Sequence, residues 1–179
     1  MRESILTHEF YKRAIEDAAE VVDRLVREAI PDDPQFDNVA SPLEAVFAVW
    51  WRTRAIFDAF EGEVCPELWP QRTVKVGEST YRLDFSIETD DPQLIEVAKE
   101  RNVLVPLIGV EIDDDASHHN TKIQIEHRNK RDSDLMAAGW HIFHFSQSEI
   151  LTKPQQCVDR VHKHAVKALR HFARVVQKS

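Results

Sequence analysis

Apolar positions recur along this chain in two rhythms. From about His8 to Ile30, Phe10, Ala14 or Ile15, Ala18, Val21 or Val22, Leu25 and Ala29 fall at three- and four-residue steps, and "PDDP" then interrupts them. That spacing predicts a long amphipathic helix. In "SPLEAVFAVWW", Ser41 stands as a cap, Pro42 takes the first helical position and Glu44 follows three residues after the cap. The pattern predicts a capping box opening a second, strongly apolar helix that should be buried.

The rhythm then shortens to two. "RTVKV" alternates, Gly77 to Thr80 turns, and "YRLDFSI" alternates again, which predicts a β-hairpin with Leu83, Phe85 and Ile87 on one face and Arg82, Asp84 and Ser86 on the other. After "TDDP" and a short helix around Gln93 to Glu100, "VLVPLIGVEI" is almost continuously apolar, as expected of a strand covered on both faces. A polar, basic helix is expected from about Thr121 to Ala138, with Gly139 ending it, and "WHIFHF" is a further strand. The last turn-and-helix unit opens at Ser146 with a capping pattern to Glu149. Mixed elements in this order imply an α/β fold, a sheet between helices with an extra helix at each end.

Composition adds bounds. At 179 residues, 42% of them hydrophobic, one domain with a real core is expected. The N-terminus is too charged for a signal peptide and no apolar run suffices to cross a bilayer, so a cytoplasmic protein with no membrane partner is expected. Cys65 and Cys157 are distant and lack CxxC spacing, which supports neither a disulfide framework nor a cysteine-based zinc site. The formal charge of -8 disfavours a polyanion partner until its distribution is considered. Residues 152–179 hold seven basic residues and one acid, a local +6 that leaves -14 for the rest. In this segment Val158, Val161, Ala165, Leu169, Phe172 and Val176 form an apolar stripe. Arg160, Lys163, Lys167, Arg170 and Arg174 form a basic one. The basic stripe is either a solvated face or a phosphate-facing one; on DNA each contact would add about one unit of salt dependence.

Two acids stand in apolar strands. Asp84 and Glu111 occupy positions that charge avoids unless it is paired or holds a cation. Along the later strand Leu107, Gly109, Glu111 and Asp113 share a face, and Gly109 is expected to leave space beside Glu111 for a metal and its waters. Oxygen ligands of this kind suit Mg²⁺ and phosphodiester hydrolysis. Each position also has a plain structural reading: Glu44 as the capping-box acid, Asp84 as a partner of Arg82, Asp114 and Asp115 as solvated loop acids. A His/Asp zinc site finds no tight ligand spacing such as HExxH.

The ordered series "SPLE", Pro70-Gln71, "YRLDF", "VEID", "HHNTKIQ", Arg131-Asp132, "GW" and "FSQSEI" resembles the PD-(D/E)XK nuclease superfamily. The nearest branch is the compact group similar to very-short-patch repair endonucleases. The resemblance runs from about Ser41 to Ile150 and implies a restriction-endonuclease-like core, a mixed β-sheet flanked by helices. Residues 1–38 would be a helical extension and 151–179 a basic C-terminal helix of the same domain. It implies that Asp84 and Glu111 hold Mg²⁺ or Mn²⁺ with the Ile112 carbonyl as a third ligand, and that Glu44 supports the site. Asp113 stands where the wider superfamily has lysine, as in the compact branch. His118, ahead of His119, with Lys122 and Gln124 would activate water or hold the scissile phosphate. Lys163, Lys167, Arg170 and Arg131 would contact nucleic acid. Asp114, Arg128 and His144 depart from the branch's pattern. The implied activity is a metal-dependent endonuclease acting on DNA, double-stranded ahead of single-stranded, with a homodimer as one arrangement. The alternative is a catalytically inactive module of the same fold that binds nucleic acid or protein.

Overall fold

The structure, a computed structural model, describes residues 39–61, 65–89, 91–113 and 122–178, without the side chains of residues 122–124 and 178. The helix expected over His8 to Ile30 lies outside the described residues, as do Asp114, Asp115, His118 and His119.

Ser41 holds an extended backbone, and its hydroxyl accepts the Glu44 N–H at 3.2 Å, so α1 (Pro42–Phe60) starts where the sequence places it. The predicted capping box is only half made. The Glu44 carboxylate accepts from the Ala40 N–H at 3.0 Å and from Gln71 Nε2 at 2.7 Å, which draw it away from the cap residue's own N–H. Leu43, Phe47, Ala48 and Trp51 are buried, but at the far end of α1 Ile56, Phe57 and Phe60 are exposed, so the expectation of a helix buried throughout fails there.

β1 (Trp69–Val76) and β2 (Ser79–Ile87) form the hairpin, turned at Gly77, whose φ of 59 suits glycine. α2 (Pro92–Glu100) is capped by Asp91. β3 (Leu107–Asp113) begins only after Pro106, which has no N–H to give a ladder, so Val103 to Pro106 are not strand. α3 (Lys122–Ala137) leads to β4 (Trp140–Ser146). The terminal unit is two helices, α4 (Gln147–Thr152), opened by a full Ser146–Glu149 capping box, and α5 (Pro154–Lys178). They separate at Lys153 because a residue before proline is pushed out of helical geometry.

The sheet order is β1-β2-β3-β4, with β3 and β4 parallel and the other pairs antiparallel. This is an α/β architecture with a mixed four-stranded sheet flanked by helices. On one face Phe85, Ile87, Ile108, Val110, Phe143 and Phe145 pack against Phe47 and Trp51 of α1, Ile150 of α4, and Val158, Val161 and Ala165 of α5. The basic stripe of α5 points outward. On the other face Leu135 of α3 covers Val74, Leu83 and Trp140, with Leu107 and Ile142.

Leu83 thus lies opposite to Phe85 and Ile87, against the simple alternation. The register runs Pro70 with Phe85 and Arg72 with Leu83, and between them Gln71 has a φ of 52, an irregularity facing Asp84. Gly109 also departs from expectation: it makes room for packing, not for a ligand. A Cβ there would meet Ile142 Cδ1 at 2.7 Å and Leu83 Cδ1 at 3.1 Å. Gly109→Ala should therefore destabilise by about 1 kcal/mol, because terminal methyls must shift. Chemical denaturation that finds no loss would show that these side chains repack freely.

Candidate functional site

The acids meet where β2 parts from β3. Pairing of the two strands ends at Phe85 with Val110. Beyond it Asp84 Oδ2 accepts the Ile112 N–H at 2.7 Å, so a side chain completes what the ladder leaves off. Burial raises the Asp84 pKa above its ordinary value, although the Ile112 hydrogen bond and the Arg131 charge oppose the rise. Arg82, which the alternative structural reading paired with Asp84, contributes only a weaker charge effect.

Parallel pairing of β3 with β4 sets Gly109 beside Ile142, Glu111 beside His144 and Asp113 beside Ser146. Glu111 and Asp113 therefore share the face read from the sequence. Glu111 is only 6% exposed. Its Oε2 lies 3.2 Å from Arg131 Nη1, and its Oε1 is buried without a hydrogen-bond partner. Burial, with the Asp84 charge adding to it and Arg131 and His144 opposing, pushes the Glu111 carboxyl up to about 7. Asp113 behaves oppositely. His144, in first place, and Arg128, at 3.1 Å, hold it below the usual carboxylate range. Glu44, at the start of α1, is also buried, and its pKa is raised by burial and by the Asp84 charge.

Glu44, Asp84, Glu111 and Asp113 thus come together from α1, β2 and β3. Arg131, expected to face nucleic acid, projects from α3 to Glu111 and also lies 3.4 Å from Asp132. The Ile112 N–H belongs to Asp84. Lys122 and Gln124 lie in the first turn of α3, the helix that carries Arg128 and Arg131, and their side chains are outside the described residues, like His118. Lys163, Lys167 and Arg170 are not part of this cluster. They line a cleft between α1 and α5 together with Arg54, Asp58 and His162. The helical rise along α1 places Asp58, at that cleft, about 20 Å from Glu44.

Two residues join the site that the sequence did not single out for it. Gln71 donates to Glu44. His144 bridges acids, with Nε2 at 3.1 Å from Asp132 and Nδ1 at 3.6 Å from Asp113. The Asp113 carboxylate raises the His144 pKa against the effect of burial, and Asp132 adds to it. The alternation of "WHIFHF", which puts His144 on the face of Trp140 and Ile142, was the signal that could have found it.

Carboxylate oxygens are the ligand type that a hard divalent cation takes. Asp84 and Glu111 are electrostatic neighbours and Glu111 Oε1 is buried without a hydrogen-bond partner, but among the described residues only Asp58, Cys65 and His162 bring three His, Cys, Asp or Glu ligand atoms within 4.8 Å of one another. No helix among the described residues is long and apolar enough to cross a membrane. Comparison with known proteins finds no matching family model, curated protein or solved structure.

Proposed function

We propose that the chain is a metal-dependent nuclease of the PD-(D/E)XK type, with a restriction-endonuclease-like core, that hydrolyses DNA phosphodiester bonds. The observation that carries the reading is the buried, unpartnered Glu111 Oε1 beside Asp84, within a group of four carboxylates. Asp84 and Glu111 would hold Mg²⁺ or Mn²⁺, with the Ile112 carbonyl adjoining and Glu44 supporting them. When bound, such an ion stabilises charge on the phosphate and lowers the pKa of the attacking water. Arg131 orients Glu111 by occupying Oε2, which leaves Oε1 for the cation. Asp113 and His144 form a polar pair at the rim. His118, Lys122 and Gln124 would serve the water or the phosphate.

The basic face of α5 supports a DNA partner. Lys163, Lys167 and Arg170 are exposed.

A second reading draws on the ion pairs Arg131–Glu111 and Arg128–Asp113, in which cations of the chain already meet two of the acids. A silent binding module could keep that arrangement.

The test is incubation with supercoiled plasmid and with single-stranded DNA in Mg²⁺, Mn²⁺ or EDTA, beside Asp84→Ala. Nicking that requires the metal and disappears in the variant is the expected result. No cleavage of either substrate together with no Mn²⁺ binding would reject the nuclease and leave the binding module.

A further inference from the structure

At the other end of α1, three groups of a different chemical character converge. Asp58 on α1 and His162 on α5 are buried, and Cys65 is half-buried in the segment after α1. A carboxylate oxygen, the thiol sulfur and an imidazole nitrogen, one from each, all lie within 4.8 Å of one another. Sequence spacing gave no hint of a cysteine-based site, because these ligands come from separate elements.

Two observations point to a cation. Asp58 Oδ2 and His162 Nε2 are 2.6 Å apart, yet the approach is not aligned as a hydrogen bond. The buried Asp58 oxygens and His162 Nε2 make no aligned hydrogen bond with each other or with Arg54, and the Cys65 thiol lies against the same carboxylate. The Arg54 guanidinium also approaches Asp58, at 2.6 Å from Oδ1, and supplies charge from one side only. The surroundings, moreover, hold the groups in place. The Trp51 ring packs edge-on against His162 at 5.8 Å, and Trp51 Nε1 donates to the Pro66 carbonyl at 3.2 Å, which fixes the chain next to Cys65.

We propose that Asp58, Cys65 and His162 form a binding site for a transition-metal ion of the Zn²⁺ class, separate from the carboxylate cluster. Thiolate and imidazole select a borderline ion over Mg²⁺, which prefers oxygen alone. Asp58 and His162 also line the cleft of about 570 Å³ that carries Lys163, Lys167, Arg170 and Arg174. Because Asp58 and His162 border that cleft, water or an oxyanion such as phosphate would complete the shell from there. Binding requires the thiolate. Burial and the Asp58 charge push the Cys65 thiol up to about 12, and a cation reverses that preference as the proton passes to solvent.

The test uses the reduced, chelator-stripped full chain titrated with Co²⁺ and then Zn²⁺. Wild type should develop a thiolate-to-cobalt charge-transfer band that saturates at one Co²⁺ per chain and is displaced by Zn²⁺, and Zn²⁺ should raise the melting temperature. Cys65→Ser should abolish the band. It should also weaken Zn²⁺ binding by more than the roughly 10- to 100-fold that loss of a supporting group costs, with unchanged circular dichroism. Asp84→Ala should keep the band, which separates this site from the nuclease reading. No band in wild type, or one that survives Cys65→Ser, would overturn the proposal.

Discussion

Glu111→Gln should make the protein more stable at pH 8 while removing metal-dependent cleavage. The folded state raises the Glu111 carboxyl from 4.5 to about 7. An acid whose folded pKa is raised costs stability as it ionises, so the cost appears as pH climbs from about 4.5 through about 7 and is complete above that. A shift of this size corresponds to about 3 kcal/mol. Arg131 would lose one acid and keep Asp132, so the net gain should be about 1–2 kcal/mol, or roughly 2–8 °C in melting temperature. At pH 5 wild-type Glu111 is largely protonated and neutral like glutamine, so the gain should shrink. On the proposed nuclease reading, cleavage should fall by at least about 100-fold, since a metal site contributes several kcal/mol to the transition state. Melting curves at the two pH values, with plasmid assays, check both halves. A variant less stable at pH 8 would mean that Glu111 acts chiefly as the ion-pair partner of Arg131.

Phe47→Ala should be the most damaging single truncation in the core. Phe47 is fully buried, and its ring lies 5.4 Å from Phe85, 6.0 Å from Phe145 and 6.1 Å from Trp51. It joins α1 to two strands, so its loss leaves a cavity lined by rings that cannot all move inward. The expected cost is about 3–5 kcal/mol, a large part of a domain's usual stability. Leu104, 87% exposed, is the control. Its truncation should change stability by less than about 0.5 kcal/mol. Equal effects in urea unfolding would contradict the assignment of the core.

Local chemistry was legible in the sequence. The caps at Ser41 and Ser146 act within one turn, and the face shared by Glu111 and Asp113 follows from strand parity alone. What failed depended on partners distant in sequence. Leu83 packs on the face opposite Phe85 and Ile87, at the point where Gln71 of the partner strand takes a left-handed backbone. Gly109 is filled by Ile142, a residue that only the parallel register brings alongside. The capping reading of Glu44 was half right because Gln71, from the hairpin, competes for the carboxylate. His144 was noted as a departure from a pattern and is in fact a neighbour of Asp113, delivered by the pairing of β3 with β4. The Asp58, Cys65 and His162 group cannot be read along the chain at all, since its geometry exists only once α5 lies on α1.

Gln71 holds a left-handed backbone that a side-chain-bearing residue adopts at a cost of about 1–3 kcal/mol. Its amide donates to Glu44, whose other partner is the Ala40 N–H. Hairpin and helix thus immobilise each other before anything binds. The entropy of ordering these side chains is spent during folding, so a cation or phosphate bound as proposed would meet a preorganised scaffold and lose little affinity to rearrangement.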